Sequence, residues 1–324
     1  MEIKRADVTK IDVKHRARLL KELRVSSTDL LAVGTEAEVY SLGEAHVLKL
    51  YGDSRRLSNL QVLRGFYDLL DEGPSGLKFP RIVEIRQCGS LIGVVESRVS
   101  GRPLERMLGA LDATSEAKAI DFYLKAVRSL REVKITSAPA KYMLFDESDR
   151  SSVSRQTWSE FYERLLSEKV ERTGDLLPRN VSAFRPKFER LLETVRTDVD
   201  VKISMVHGDF CPGNLLVSED LSKAIGVVDF GSFTLFGDSM LDMAGAVGFY
   251  RMYDPERKAI RNNLLDRTEE VLTSRDIGRM YRYLAAHAII TCDLYISEPN
   301  PRENGHFQWA VEILEDSRVW SNLR

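Results

Sequence analysis

The chain has 324 residues, 43% hydrophobic and 30% charged, which suits a globular protein with room for one large domain or two lobes. Its 47 lysines and arginines against 49 acids, a formal charge of -2, exclude a broad basic surface for nucleic acid. The three scattered cysteines, Cys88, Cys211 and Cys292, point to reduced thiols and a cytoplasmic setting; the charged start lacks a signal-peptide core, and no run approaches the roughly 20 apolar residues of a membrane span.

In chain order, residues 15–23 place Leu19, Leu20 and Leu23 on one face and predict a short amphipathic helix. Strand-like runs follow at 30–33, 39–42 and 46–51, with a tight hairpin turn over 42–45. Helical spacing returns over 56–70, and further strands are expected at 82–85 and 91–96. Beyond Gly101-Arg102-Pro103 the character changes. Helices are expected at 117–130, 158–170, 184–195, 240–250 and 277–295, with strands only at 203–206, 215–217 and 224–228. The fold class is therefore α+β and bilobal. A small β-rich lobe spans residues 1–99, the first 27 being a helical extension, and a larger helical lobe spans 100–324. A ligand cleft belongs between them, with a hinge around 96–104. The serine-rich stretch 131–156 gives no clear reading.

The chemistry concentrates in VHGDFCPGNLLV and, shortly after, IGVVDFG. His207, Asp209 and Asn214 have the H-x-D-x-x-x-x-N spacing of a kinase catalytic loop. An isolated HGD or DFG arises by chance; the two in order, with the correctly spaced asparagine and a hairpin between, do not. Asp209 is the candidate base that orients an acceptor hydroxyl and takes its proton. Asn214 and Asp229 supply the oxygen donors a hard cation requires. Pairing of 215–217 with 224–228 would bring both to one edge. His207 is read as a brace for backbone and the second aspartate, and Gly208 and Gly213 as residues serving backbone geometry.

A second signal lies in AVGTEAEVY and HVLKLY. The turn at Gly34 and Thr35 can aim backbone N–H groups at phosphates, although only one glycine of a G-x-G-x-x-G pattern is present. Lys49 stands among Val47, Leu48 and Leu50, and a charge in an apolar strand needs a partner. Nucleotide phosphates provide one; the alternative is an edge-strand lysine facing solvent.

These residues resemble the aminoglycoside phosphotransferase and choline kinase-like superfamily, which has the bilobal protein-kinase-like fold. HGDFCPGN, VVDFG, the Lys49 segment, VVESRVSGRPL and FGDSMLDMA carry the resemblance, which covers Leu30 to about Tyr250. It implies ATP and Mg²⁺ as cofactors. It also implies adenine contacts from backbone groups of Glu96 and Arg98, and support of the site by Asp238 and Asp242, the latter near His207.

Two departures matter. Asn59 stands where the family's first-lobe helix carries a glutamate for the strand lysine, so Lys49 is expected to lack an anionic partner until nucleotide binds, unless a carboxylate such as Glu84 substitutes. After Asp229 the chain is expected to run straight into a helix, leaving no room for an activation loop, and Gly208 replaces the arginine that reads an activation-loop phosphate. A regulated protein kinase is therefore not the expected reading. Cys211 is either a neutral loop residue or a thiol whose modification blocks the site. Acceptor-pocket candidates are 158–164, 250–253 and 281–295, with Asp293, Glu298 and Glu303 available to a cationic substrate; Trp309 and Trp320 read as packing residues. The expected function is transfer of the γ-phosphate of ATP to a hydroxyl of a small molecule. Aminoglycosides, sugars, choline-like alcohols, amino acids and nucleosides all stay open as the acceptor, and neither nucleic acid nor membrane is a partner. The alternative is a catalytically weak or inactive nucleotide-binding pseudokinase or scaffold on the same fold.

Overall fold

The Asp12 side chain accepts the His15 N–H at 2.8 Å and starts the first helix, α1 (Val13–Glu22). A computed structural model describes residues 11–34, 37–53, 56–71, 76–146, 148–198, 200–296 and 300–323. The first lobe continues with β1 (Leu30–Val33), β2 (Ala37–Leu42), β3 (His46–Tyr51), α2 (Leu57–Leu69), β4 (Leu70–Asp71), β5 (Ile82–Cys88) and β6 (Leu91–Ser97). Five of these strands form an antiparallel sheet in the order β1-β2-β3-β6-β5. Gly43, at φ +66°, supplies the left-handed residue that the β2–β3 turn needs.

Strand alternation gives the sheet two different faces. Leu48, Leu50, Leu91 and Val95 point outward and join Leu19 and Leu20 of α1 in a small separate core. Ile92 and Val94 point inward and join Leu60, Leu63 and Phe66 of α2 in the main core. The apolar stripe of α1 thus covers a sheet face that would otherwise meet water.

The second lobe holds β7 (Arg102–Pro103), α3 (Glu105–Leu108), α4 (Ala113–Leu130), β8 (Lys134–Ile135), α5 (Trp158–Thr173) and α6 (Phe184–Thr197). It continues through β9 (Ile203–Val206), β10 (Leu215–Val217), β11 (Ala224–Val227), β12 (Leu235–Asp238) and α7 (Met240–Phe249). The chain ends with α8 (Arg257–Glu269), α9 (Ser274–Thr291), α10 (Gly305–Glu315) and α11 (Ser317–Ser321). A reciprocal cap between Thr157 and Glu160 starts α5. All ten residues of α7 are buried, because α4, α8 and α9 pack around it. Trp309 and Trp320 are core residues, as the sequence reading expects. No helix among the described residues is long and apolar enough to cross a membrane.

Several elements go beyond the sequence reading, β12, α8, α10 and α11 among them. The stretch after Asp229 does not enter a helix directly: it first forms β12, paired with β9 from Leu235↔Val206 to Asp238↔Ile203. That pairing is non-local, so no periodicity announces it. α8 is strongly polar, and its buried Arg261 is held by Glu312 at 2.9 Å. α10 and α11 lie in the last twenty residues, where short apolar runs carry little periodic signal.

Candidate active site

Two short antiparallel pairings build the loop around Asp209. Strand β9 delivers the chain to His207, and its partner β12 leads into α7, which carries Asp242. Asp242 thereby lies beneath the loop. Its two carboxylate oxygens accept the N–H groups of His207 and Gly208, each at 2.8 Å. Burial pushes the Asp242 carboxyl up to about 7, against the lowering effect of those two bonds.

Both ring nitrogens of His207 are committed. Nδ1 accepts the Asp209 N–H at 3.2 Å, so Nε2 carries the proton and donates it to Val228 O at 2.9 Å. Burial holds this imidazole down at about 4 and therefore neutral. The Thr234 hydroxyl donates to His207 O at 3.1 Å and accepts the Gly231 N–H at 3.0 Å, tying the Asp209 loop to the segment after Asp229. Gly208 sits at φ +81°, and a Cβ there would lie 1.9 Å from Phe233 O, so no other residue fits. Gly213 has no left-handed backbone; its Cβ position is merely crowded by Glu105.

The β10–β11 hairpin has Asn214 just before its first strand and Asp229 just after its second. Leu215 pairs with Val227, and the Val228 N–H donates to Asn214 O at 3.0 Å. Asn214 Nδ2 donates to Asp209 O at 2.8 Å and approaches Asp209 Oδ2 at 3.4 Å. With its nitrogen engaged, the amide oxygen is the atom left to meet a cation. Asp229 adopts φ +68°, a strained conformation for a residue with a side chain and one that recurs at functional sites.

Lys49 reaches this group from β3. Its Nζ lies 2.8 Å from Asp229 Oδ1 and 3.2 Å from Glu96 Oε2. The Lys49 charge is the main reason Asp229 is held below the ordinary carboxylate range. Crowding by surrounding protein, then the charge of Asp229, raise Asp209 to about 6, although its side chain opens onto the cleft.

One cavity of about 190 Å³ is lined by Gly34, Lys49, His207, Asp209, Asp229 and Phe233, among others. A second, of about 510 Å³, lies on the other side of Asp209. Its walls include Glu105, Cys211, Phe249, Arg251, Tyr253 and His306, and it shares Asp209, Phe233 and Tyr295 with the first. Arg251 is held by Glu116 at 2.7 Å and Asp254 at 2.6 Å, and burial holds His306 neutral at about 4.

Several expectations need correction. Lys49 does not lack an acidic partner, and the substitute is not Glu84, which pairs with Arg86. Glu96 lies inside the ladder between Val47 and Ile82, and the Arg98 N–H donates to Ala45 O at 2.8 Å, so the N–H of Arg98 is already engaged within the first lobe. The N–H of Gly34 is likewise used within its turn, by Ala37 O at 2.9 Å. Thr35 and Glu298 lie outside the described residues. Asp238 supports the β12–α7 joint, accepting the Met240 N–H at 3.0 Å and the Tyr283 hydroxyl at 3.1 Å. Trp158 lines neither cavity; it is buried and donates to the Tyr283 hydroxyl at 3.0 Å. Asp293 is spent on Lys169, and Glu303 is exposed and approached by Asn300. Burial pushes the Cys211 thiol far up, so the thiolate that alkylation needs is scarce. Thr234, Glu105 and His306 were not legible, since each is brought to the site by tertiary packing from a segment without a motif.

Residues 28–283 match the family described as APH, phosphotransferase enzyme family. No curated protein matches the sequence. Among solved structures, the GDP and kanamycin complex of APH(2″)-IIIa is 14% identical with a TM-score of 0.61, covering 94% of this chain and 98% of that one. The streptomycin–ATP complex of APH(2″)-IIa is 13% identical with a TM-score of 0.56, over 95% and 99% of the two chains. APH(3″)-Id from Streptomyces rimosus, with ADP and streptomycin, is 16% identical with a TM-score of 0.53, over 85% and 99%. At these identities the likeness is one of fold. The family match runs from ahead of the first sheet into α9, and the chain belongs to the phosphotransferase enzyme family, on the kinase-like fold of these structures.

Proposed function

We propose that the protein transfers the γ-phosphate of ATP to a hydroxyl group of a small molecule. The observation that carries this reading is the position of Asp209 at the junction of two cavities, one holding Lys49 and Asp229, the other large enough for a separate substrate. In this reading the smaller cavity takes the triphosphate and the larger one the acceptor. Lys49 binds phosphate oxygens, and Gly34 lines the same cavity.

The Asn214 oxygen and the Asp229 carboxylate form an oxygen-only donor pair that fits Mg²⁺, which when bound with ATP offsets the charge of the phosphates. Lys49 keeps Asp229 ionised and ready for that role. Asp209 orients the acceptor hydroxyl and takes its proton on a carboxylate oxygen. His207 does not compete for that proton, because both of its ring nitrogens are already bonded. Most of the rate comes from positioning and fixed charge.

Related folds crystallised with streptomycin or kanamycin make aminoglycosides one acceptor class to test. In this chain Phe233, Phe249, Tyr253 and Tyr295 form part of the acceptor wall, and Arg251 engages Asp254, so neutral hydroxylated molecules belong in the same panel. The experiment is a thermal-shift screen with Mg²⁺ and a non-hydrolysable ATP analogue across sugars, amino alcohols, nucleosides and aminoglycosides, followed by phosphate transfer from labelled ATP. A Mg²⁺-dependent nucleotide shift and a labelled product support the reading. Absence of both overturns it.

A further inference from the structure

Helix α2 offers Lys49 no acidic partner. Its only carboxylate is Asp68, which is exposed. Toward the cleft it presents Asn59, in a cavity with Phe230 and Gly231, and the buried phenol of Tyr67. Lys49 is nevertheless only 8% exposed, a setting that demands a counter-charge.

That charge comes from the adjacent strand. β6 runs antiparallel to β3 with Lys49 opposite Val94, so Glu96, two residues further, projects from the same face of the sheet. Glu96 Oε2 lies 3.2 Å from Nζ, while Oε1 is buried and makes no hydrogen bond. A carboxylate buried with half its acceptors unused is a poor device for stability, and an apolar residue of the same shape would fold at least as well. Its value must lie in what it does to Lys49.

We propose that Glu96 is the positioning residue for Lys49, taking the place of a helix carboxylate and holding the ammonium at the phosphate site while Asp229 is given over to the cation. The inference rests on the nucleotide-dependent reading above. Lys49 is shared between Glu96 and Asp229. Without Glu96 its sole acidic partner among the described residues would be Asp229, and lysine and cation would compete for one carboxylate. With Glu96 present, Lys49 keeps a partner when Asp229 turns to the metal. Because the anchor lies within the sheet, the lysine position is also independent of where α2 sits.

Binding of mant-ATP, a fluorescent ATP analogue, in a Mg²⁺ titration tests this on the full chain with four proteins: wild type, Glu96→Gln, Lys49→Gln and the double variant. Glu96→Gln is expected to weaken binding roughly tenfold or more and to raise the Mg²⁺ needed for half-saturation. In the Lys49→Gln background the same change should have no further effect, since Glu96 acts through Lys49. Glu84→Gln, on the exposed Arg86 pair, should behave as wild type. Unaltered affinity and Mg²⁺ requirement in Glu96→Gln overturn the proposal, as does an equal loss in both backgrounds. Should Glu96→Gln alone fail to fold, the double variant against Lys49→Gln decides: equal affinities sustain the proposal and further loss overturns it. A wild type that binds no nucleotide would instead fell the functional reading itself.

Discussion

The two walls of the cleft are held in different ways. The Asp209 wall is a lattice of satisfied hydrogen bonds: Asp242 under the loop, His207 bonded at both nitrogens, Asn214 and Thr234 tying in the flanking segments. The Lys49 wall is held by charge, with one ammonium between two carboxylates and a buried oxygen left unpaired. Hydrogen-bonded lattices fix geometry at the ångström level, whereas a shared ion can be redistributed when a ligand arrives. One wall is built for precision and the other for exchange.

Substitutions on the first wall can break that contrast. The largest effect is expected from Asp209→Ala, which should lower turnover about 10³-fold in a phosphate-transfer assay while nucleotide binding survives. Wild-type activity should rise with pH through about 6, because the proton acceptor must be ionised. Loss of nucleotide binding in Asp209→Ala would mean that the walls are not separable. Next comes Gly208→Val, where backbone strain and the collision with Phe233 O should cost roughly 3 kcal/mol, read as a lower urea midpoint.

Asp242→Asn should leave one of the two loop N–H groups without an acceptor. That costs about 2 kcal/mol of stability, with a clear fall in turnover and little change in nucleotide affinity. A variant that lost affinity but kept turnover would reverse the assignment of roles. An effect spread over pH rather than felt at pH 7 sharpens the lattice side from a distance. His287 is buried, its Nε2–H donates to Leu241 O at 2.9 Å, and burial holds its imidazole down at about 4. Between pH 6.5 and 4 the unfolded chain binds a proton there that the folded chain does not. The stabilisation is therefore complete above pH 6.5 and is lost as pH falls. His287→Gln should flatten the acid limb of stability by about 1.4 kcal/mol per pH unit, measured by denaturant unfolding at several pH values.

Legibility followed the same division. The loop and hairpin of the Asp209 wall were readable because those parts are local in sequence: the loop residues lie within eight positions, and Asp229 returns on the hairpin that starts at Leu215, whereas Thr234 is brought in by tertiary packing. The alternation of the first sheet and most helices were readable for the same reason. The Lys49 wall was not. Whether Glu96 faces Lys49 or the outer core depends on the register of β6 against β3, and a shift of one residue would have placed Val95 there instead. Asp293 looked available for substrate until α5 supplied Lys169, and Trp158 looked like a pocket residue until it was found beside Tyr283. β12 exists only because β9 is there to pair with it.

The placement of α1 has a consequence during synthesis. The helix leaves the ribosome ahead of its partner strands: Leu19 and Leu20 dock on a surface that is finished only when Leu91 and Val95 have emerged. At about 5–20 residues per second, the greasy side of α1 waits several seconds for its seat. Through that interval it is an exposed apolar segment.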